Sequence, residues 1–372
     1  MNILLIGNGF DLAHGLSTKY IDFMEFLEQI YSCNPNSLNP NFTKKFPNTV
    51  FINLFNRCMI SDFLEYLEKN FWFGYFKELL WGDTVESSLT YTVQKNNSEW
   101  KIEKENWIDL ECEISSVIKE FETKDIKYYV DKINFDDNKI KLNYHDITKK
   151  ELIKILSKDL DSFIYTLELY IRCVIEEQLK QTKKKSPDIE NLEIDKVLSF
   201  NYTNTYKKLY GEDKDIEYCF VHGKANENPS FIDKNNMVLG IDEYLSEDER
   251  NNNLEFITFK KYYQRIYKQT HYNYVNWLDA SRCRIKTFGN NIDSNLYIFG
   301  HSLDVTDKDI LKELILTPNI KTTIFYYNKE VNAQQIQNLV KVIGYDEINK
   351  RTRRLNRTIF FKQQKDMIEI SK

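Results

Sequence analysis

Four apolar residues in succession, Ile3-Leu4-Leu5-Ile6, run into Gly7 without a polar residue between them. So short an unbroken run predicts a strand covered on both faces, as in a parallel sheet between helix layers. Tyr20, Phe23, Met24, Leu27 and Tyr31 then recur at helical spacing, with Asp22, Glu25 and Glu28 off the stripe, so a helix follows the first loop. From 31 to 190 the pattern is mostly helical. Phe63, Leu64 and Leu67 share a face in 61–69, and Ile108, Cys112, Ser115, Val117 and Ile118 share one in 106–121. A long amphipathic helix is predicted over 151–180, ending before Lys183-Lys184-Lys185-Ser186-Pro187. Stretches 82–105 and 122–146 show no clear period and are assigned no element.

Beyond 190, short apolar runs predict strands at 196–200, 218–221, 237–239, 296–299 and 323–327, with helices over 254–280 and 307–316. Such alternation implies an α/β fold, a mostly parallel sheet with helices on both faces. Residues 1–30 and 191–372 are then the core, and 31–190 a helical insertion.

Composition narrows the function classes. The chain has 372 residues, with 51 basic against 56 acidic side chains and a net charge of -5, which gives no global case for nucleic-acid binding. The amino terminus lacks a basic region and a signal-length apolar run, and no stretch approaches a membrane span, so a soluble cytoplasmic protein is expected. Six cysteines lie far apart and offer no compact zinc or redox framework, which reads as scattered buried thiols. The histidines have no metal-ligand spacing, so no metal is expected.

Candidate chemistry collects at strand ends. Gly7, Gly9, Gly15, Gly223, Gly240 and Gly300 lie in the first loop or close to apolar runs. In open α/β sheets ligands bind beyond the carboxyl ends of the strands. Gly7-Asn8-Gly9 fails the dinucleotide fingerprint, because Leu12 stands at the third glycine position. Asn201 fits either an amide that orients a water or ribose, or a turn residue. His222, followed by Gly223, fits either a general base or a hydrogen-bonded structural histidine. In Gly300-His301-Ser302-Leu303-Asp304-Val305-Thr306-Asp307, Thr306 with Asp309 has capping-box spacing.

Together these pieces resemble a known family. Gly7-x-Gly9 with Gly15-Leu16 is similar to the sirtuin loop G-A-G-x-S-x-x-x-G-I-P. Phe200-Asn201-Tyr202 resembles the sirtuin Q-N-I-D segment, His222-Gly223 its H-G, and Gly300-His301-Ser302-Leu303-Asp304-Val305 its G-T-S-L-x-V. More specifically, Asn8-Gly9-Phe10-Asp11 with His14-Gly15, and the Asn-Tyr-Thr, His-Gly and Gly-His-Ser-Leu motifs, resemble the bacteriophage abortive-infection AbiH family over most of the chain.

The resemblance implies a three-layer, Rossmann-like fold of the sirtuin type (DHS-like, NAD/FAD-binding) and an NAD-consuming hydrolase of antiphage defence, with NAD as substrate. Asn201 would position the water or ribose and His222 would be the base, with Asp11 as a further catalytic group. Gly7, Gly9 and Gly15 would line the pyrophosphate, and Ser302 with Asp304 the adenosine side. Asn8, Phe10, His14, Thr18, Tyr202 and Gly300 complete the implied binding set. Asp11 stands where sirtuins have Ser, Ser17 replaces the Pro, and Thr203 replaces the Asp of Q-N-I-D. The absent cysteine zinc ribbon argues against protein deacylation.

The alternative is a non-catalytic NAD or ADP-ribose sensor that signals to a partner through the insertion. A phage-derived trigger and a homo-oligomer are the partners envisaged. A third reading, a nucleic-acid-acting toxin, rests on the basic run 350–357, which is more simply a solvated surface. The aromatic stretch 259–274 reads as a helix packed on the sheet.

Overall fold

The computed structural model describes residues 1–32, 64, 66, 67, 69–81, 90–95, 98–103, 107–123, 147–212, 214–226, 235–241, 254–270, 272–288, 294–353 and 357–369. It forms two compact units, one of Met1–Leu16, Gln178–Lys224 and Lys268–Lys372, the other of Ser17–Glu177 and Ala225–Tyr267.

The first unit is built on six strands: β1 (Asn2–Ile6), β2 (Lys196–Ser199), β3 (Glu217–Phe220), β4 (Ser294–Phe299), β5 (Ile320–Tyr326) and β6 (Ile359–Gln363). They lie in the order β3-β2-β1-β4-β5-β6, and every neighbouring pair is parallel. Central β1 sets Ile6 opposite both Ser199 and Phe299, and Ser199 lies opposite Phe220. The carboxyl ends of four strands are therefore level. Strand order reverses between β1 and β4.

Both faces of the sheet carry a core, which is why β1 is apolar throughout. Ile3, Leu5, Leu198, Leu296, Ile298 and Ile324 pack with residues of the helices Asn273–Phe288 (Trp277, Leu278), Lys308–Leu316 (Ile310, Leu314) and Lys329–Ile343 (Leu339, Val342). Leu4, Ile6, Val197, Phe299 and Phe325 pack on the opposite face with Phe10, Ile189, Tyr206 and Tyr210. Ile3, Leu4 and Leu5 are wholly buried, and at roughly 1.5–3 kcal/mol per large aliphatic side chain they anchor the sheet.

In the second unit, the helices Tyr20–Ser32, Phe71–Trp81 and Lys149–Tyr170 bury an aromatic cluster of Phe23, Phe26, Phe76, Phe163 and Tyr170. Thr148 caps the longest helix in a reciprocal pair with Glu151. That helix continues through a π-helical turn, Ile171–Ile175, into Glu176–Gln181. Trp107–Thr123 is helical as the periodicity predicts.

Several expectations need correction. Met237-Val238-Leu239 is buried but is no strand of the sheet. It belongs to the second unit, where the Gln264 carboxamide accepts from the Leu239 N–H and donates to the Leu239 carbonyl, both at 3.1 Å. A side chain here replaces a neighbouring strand. The helix expected over 254–280 is instead a 3-10 turn (Ile257–Phe259) and two helices (Lys261–Tyr267 and Asn273–Phe288). Aromatics 259–267 lie in the second unit, whereas Tyr274 packs in the sheet core. Stretch 82–105, assigned no element, contains paired antiparallel strands Thr90–Lys95 and Ser98–Glu103. Strand β6 was not anticipated.

In the basic run, the Arg351 guanidinium donates to the Ile315 and Leu316 carbonyls, capping the end of helix Lys308–Leu316. Residues 354–356 of that run, Phe63 of the 61–69 helix and nearly all of 122–146 lie outside the described residues. Among the described cysteines only Cys219 is buried; Cys112 and Cys283 are exposed. No helix among the described residues is long and apolar enough to cross a membrane.

Candidate functional site

The carboxyl edge of the sheet is organised by the first loop. Gly9 donates its N–H to the Gly300 carbonyl at 2.8 Å, and Gly7 donates to Phe299 at 3.2 Å. The turns leaving β1 and β4 are thus in backbone contact. A Cβ on Gly300 would fall 2.1 Å from the Phe10 nitrogen, and Gly300 has φ +68, so glycine is required there twice over. On Gly7 or Gly9 a Cβ would meet the Gly300 carbonyl oxygen at 2.8 or 2.9 Å. This close packing of turns accounts for three of the sequence-predicted glycines. Gly15, also at positive φ, has nothing near its Cβ direction, and Gly240 lies in the second unit.

Two buried polar clusters adjoin that contact. In the first, Asp11 reaches from the short helix Asn8–Ala13 to strand end β2. Its Oδ2 accepts from the Thr203 hydroxyl at 2.7 Å, and Thr205 donates to Thr203 at 3.0 Å. Its Oδ1 is buried as well. Burial is the dominant influence and pushes the Asp11 carboxyl up to about 6, against the hydrogen bonds of Thr203, Thr205 and Asn201. Asn201 is buried beside it and donates from Nδ2 to the Gly7 carbonyl at 3.0 Å, tying strand end β2 to strand end β1. The Ser199 hydroxyl accepts from the Asn201 N–H at 3.1 Å and shapes that turn.

In the second cluster, His222, two residues beyond β3, places Nε2 3.2 Å from Asp307 Oδ1. His301, two residues beyond β4, places Nε2 3.5 Å from Asp307 Oδ2. Phe200 packs edge-on to both imidazoles, with ring centroids 5.4 and 4.5 Å away. One carboxylate therefore serves two buried histidines. Gln335 and Asn338, from the helix Lys329–Ile343, donate to the His301 and Ser302 carbonyls, each at 3.0 Å, and hold the loop. Leu303, wholly buried, adopts φ +59, a conformation that costs a non-glycine residue roughly 1–2 kcal/mol.

Asn201 and His222 thus occupy equivalent positions after neighbouring strands, since Ser199 lies opposite Phe220 and Val221 donates to the Ser199 carbonyl. Other members of the implied set take different roles. His14 is wholly buried, with Nδ1 2.7 Å from the Phe10 carbonyl and Nε2 2.8 Å from the Tyr210 hydroxyl, so both ring nitrogens serve the interior. Desolvation pulls its ring down to about 4. Phe10 is a wholly buried core residue. Asp304 caps the 3-10 turn Val305–Asp307 by accepting from the Thr306 N–H, which replaces the capping box expected of Thr306 and Asp309. Asn8, Tyr202 and Ser302 are half-buried near the strand ends, and Thr18 belongs to the second unit.

Sequence reasoning quoted His301 and Asp307 within their motif but gave neither a role. The signal was the repeated His-at-strand-end pattern of His222 and His301. Only the fold shows that Asp307 faces both.

The family model for bacteriophage abortive infection AbiH matches residues 3–328. The chain belongs to the AbiH family. The match takes in Asp11, Asn201, Thr203, Thr205, His222, His301 and Asp307, and membership gives this AbiH chain a role in phage abortive infection. Comparison with curated proteins and with solved structures returned no match.

Proposed function

We propose that this AbiH chain hydrolyses NAD, and that its first unit is a sirtuin-type, Rossmann-like NAD-binding sheet. The observation that carries the reading is that Asn201 and His222 each follow by two residues the end of one of two adjacent, level strands, in an all-parallel sheet whose order reverses one strand away. Numbered by appearance in that sheet, the order is 3-2-1-4-5-6, that of dinucleotide-binding doubly wound folds, whose ligands lie outside the carboxyl ends.

The reaction suits these groups. The bond between ribose C1′ and the pyridinium nitrogen breaks, and its electron pair neutralises the leaving nicotinamide. Water adds to the oxocarbenium-like C1′ and loses its proton to His222, which releases it to solvent, leaving ADP-ribose. The Asn201 carboxamide, one N–H already on the Gly7 carbonyl, orients the water or the ribose. Pre-set dipoles stabilise the developing charge, and the chemistry asks for no metal. Depletion of NAD would arrest the infected cell, consistent with abortive infection.

Pure protein incubated with NAD is expected to release nicotinamide and ADP-ribose, followed by liquid chromatography. His222→Ala and Asn201→Ala should each lower turnover about 100-fold or more, the usual scale for a positioned acid–base group. Turnover at the wild-type rate in either variant removes that residue from the scheme. Binding of NAD without any nicotinamide release would replace the hydrolase with a sensor.

A further inference from the structure

Asp307 occupies the N-cap position of the helix Lys308–Leu316, where an aspartate ordinarily accepts from the backbone of the first turn. Its side chain makes no such bond. The carboxylate faces His222 with one oxygen and His301 with the other, at 3.2 and 3.5 Å. Its place at a helix start favours negative charge in any case.

The hydrogen positions follow from the geometry. The Leu303 N–H donates to His301 Nδ1 at 2.9 Å, so in neutral His301 Nδ1 carries the lone pair and Nε2 the hydrogen. Nε2 lies 3.5 Å from Asp307 Oδ2. With Asp307 ionised its carboxylate only accepts, and His222 Nε2, 3.2 Å from Oδ1, then carries a hydrogen. The lone pair of neutral His222 then lies on Nδ1. The positive φ of Leu303 and the Gln335 bond to the His301 carbonyl fix the loop that sets His301 in place.

We propose that Asp307 is the positioning residue of this site: it holds His222 in the Nε2–H tautomer, makes Nδ1 the proton-accepting atom, and is itself fixed by His301. The assignment of Nδ1 as base rests on the NAD hydrolysis proposed above. When water adds to ribose C1′, its proton passes to Nδ1, and the imidazolium so formed faces the Asp307 carboxylate, which stabilises it. The proton then leaves to solvent and restores the neutral ring.

The test reads the tautomer directly. The chain has only 5 histidines, so protein labelled with 15N-histidine gives a tractable spectrum, with His222 assigned by its loss in His222→Gln. Above the ring's titration, His222 in the wild-type protein is expected to show a protonated Nε2 and a bare Nδ1. The reverse assignment overturns the proposal. In Asp307→Asn the signature should shift toward the other tautomer, and kcat for NAD cleavage should fall about 100-fold or more with KM within about twofold. Asp307→Glu should recover part of that loss. An Asp307→Asn protein that keeps the wild-type tautomer and kcat overturns the proposal. If the wild-type protein releases no nicotinamide, the NAD reading fails, while the tautomer still decides the role of Asp307.

Discussion

Gly300→Ala should cost about 2–5 kcal/mol, a large share of the roughly 5–15 kcal/mol that holds an ordinary domain together. Two effects add. The residue sits at φ +68, where an L side chain costs roughly 1–2 kcal/mol. Its Cβ would also fall 2.1 Å from the Phe10 nitrogen and 2.4 Å from the Gly9 carbonyl carbon. Those atoms are backbone and cannot rotate away, so the turns after β1 and β4 must separate, an overpacking cost of about 1–3 kcal/mol. Gly15→Ala is the control, with φ +80 but open space around the Cβ direction, and should lose only about 1–2 kcal/mol. Urea melts of the two variants would measure the difference. Equal losses would show that the turns do not press together as described.

The second large effect concerns pH. Asp11 is raised by burial from 3.8 to about 6, and His14 is lowered by burial from 6.5 to about 4. For Asp11 the native state holds its proton more tightly, so its contribution is full below pH 3.8 and is lost as pH rises through 6. For His14 the native state resists protonation, so its contribution is full above pH 6.5 and is lost as pH falls through 4. Each amounts to roughly 3 kcal/mol, and the two oppose each other across nearly the same window. Between pH 4 and 6.5 they cancel in the wild-type protein. Relative to wild type, Asp11→Asn should therefore gain about 3 kcal/mol as pH rises from 4 to 6.5, whereas His14→Gln should lose about as much. Denaturant midpoints at several pH values check this. Three parallel curves would show that neither group titrates as burial requires.

What could be read from the sequence was whatever chain-local physics dictates. The unbroken run Ile3–Ile6 announced a strand buried on both faces, and the stripe from Tyr20 to Tyr31 announced its helix. Met237–Leu239 misled because burial and apolarity are the same whether a strand or the Gln264 carboxamide satisfies the backbone. Strand β6 was missed because Ile359-Phe360-Phe361 is short and follows a charged run.

At the site, the strand-end placement of Asn201 and His222 was legible, since each follows an apolar run. The partners were not. Which groups a buried histidine contacts depends on residues far along the chain, and His14 and His222 look alike until Tyr210 and Asp307 are in place. Likewise, the glycines of the first loop read as ligand-lining, yet Gly7 and Gly9 are matched to Gly300, almost three hundred residues away.

The central strand also sets a schedule for synthesis. Ile3 is made first but pairs with Lys196 and Leu296, roughly 190 and 290 residues later. At about 5–20 residues per second, a ribosome leaves this greasy tetrapeptide without its second neighbour for roughly fifteen seconds to a minute. Chaperone supply during translation, rather than the finished protein's robustness, should then govern how much active material a cell accumulates.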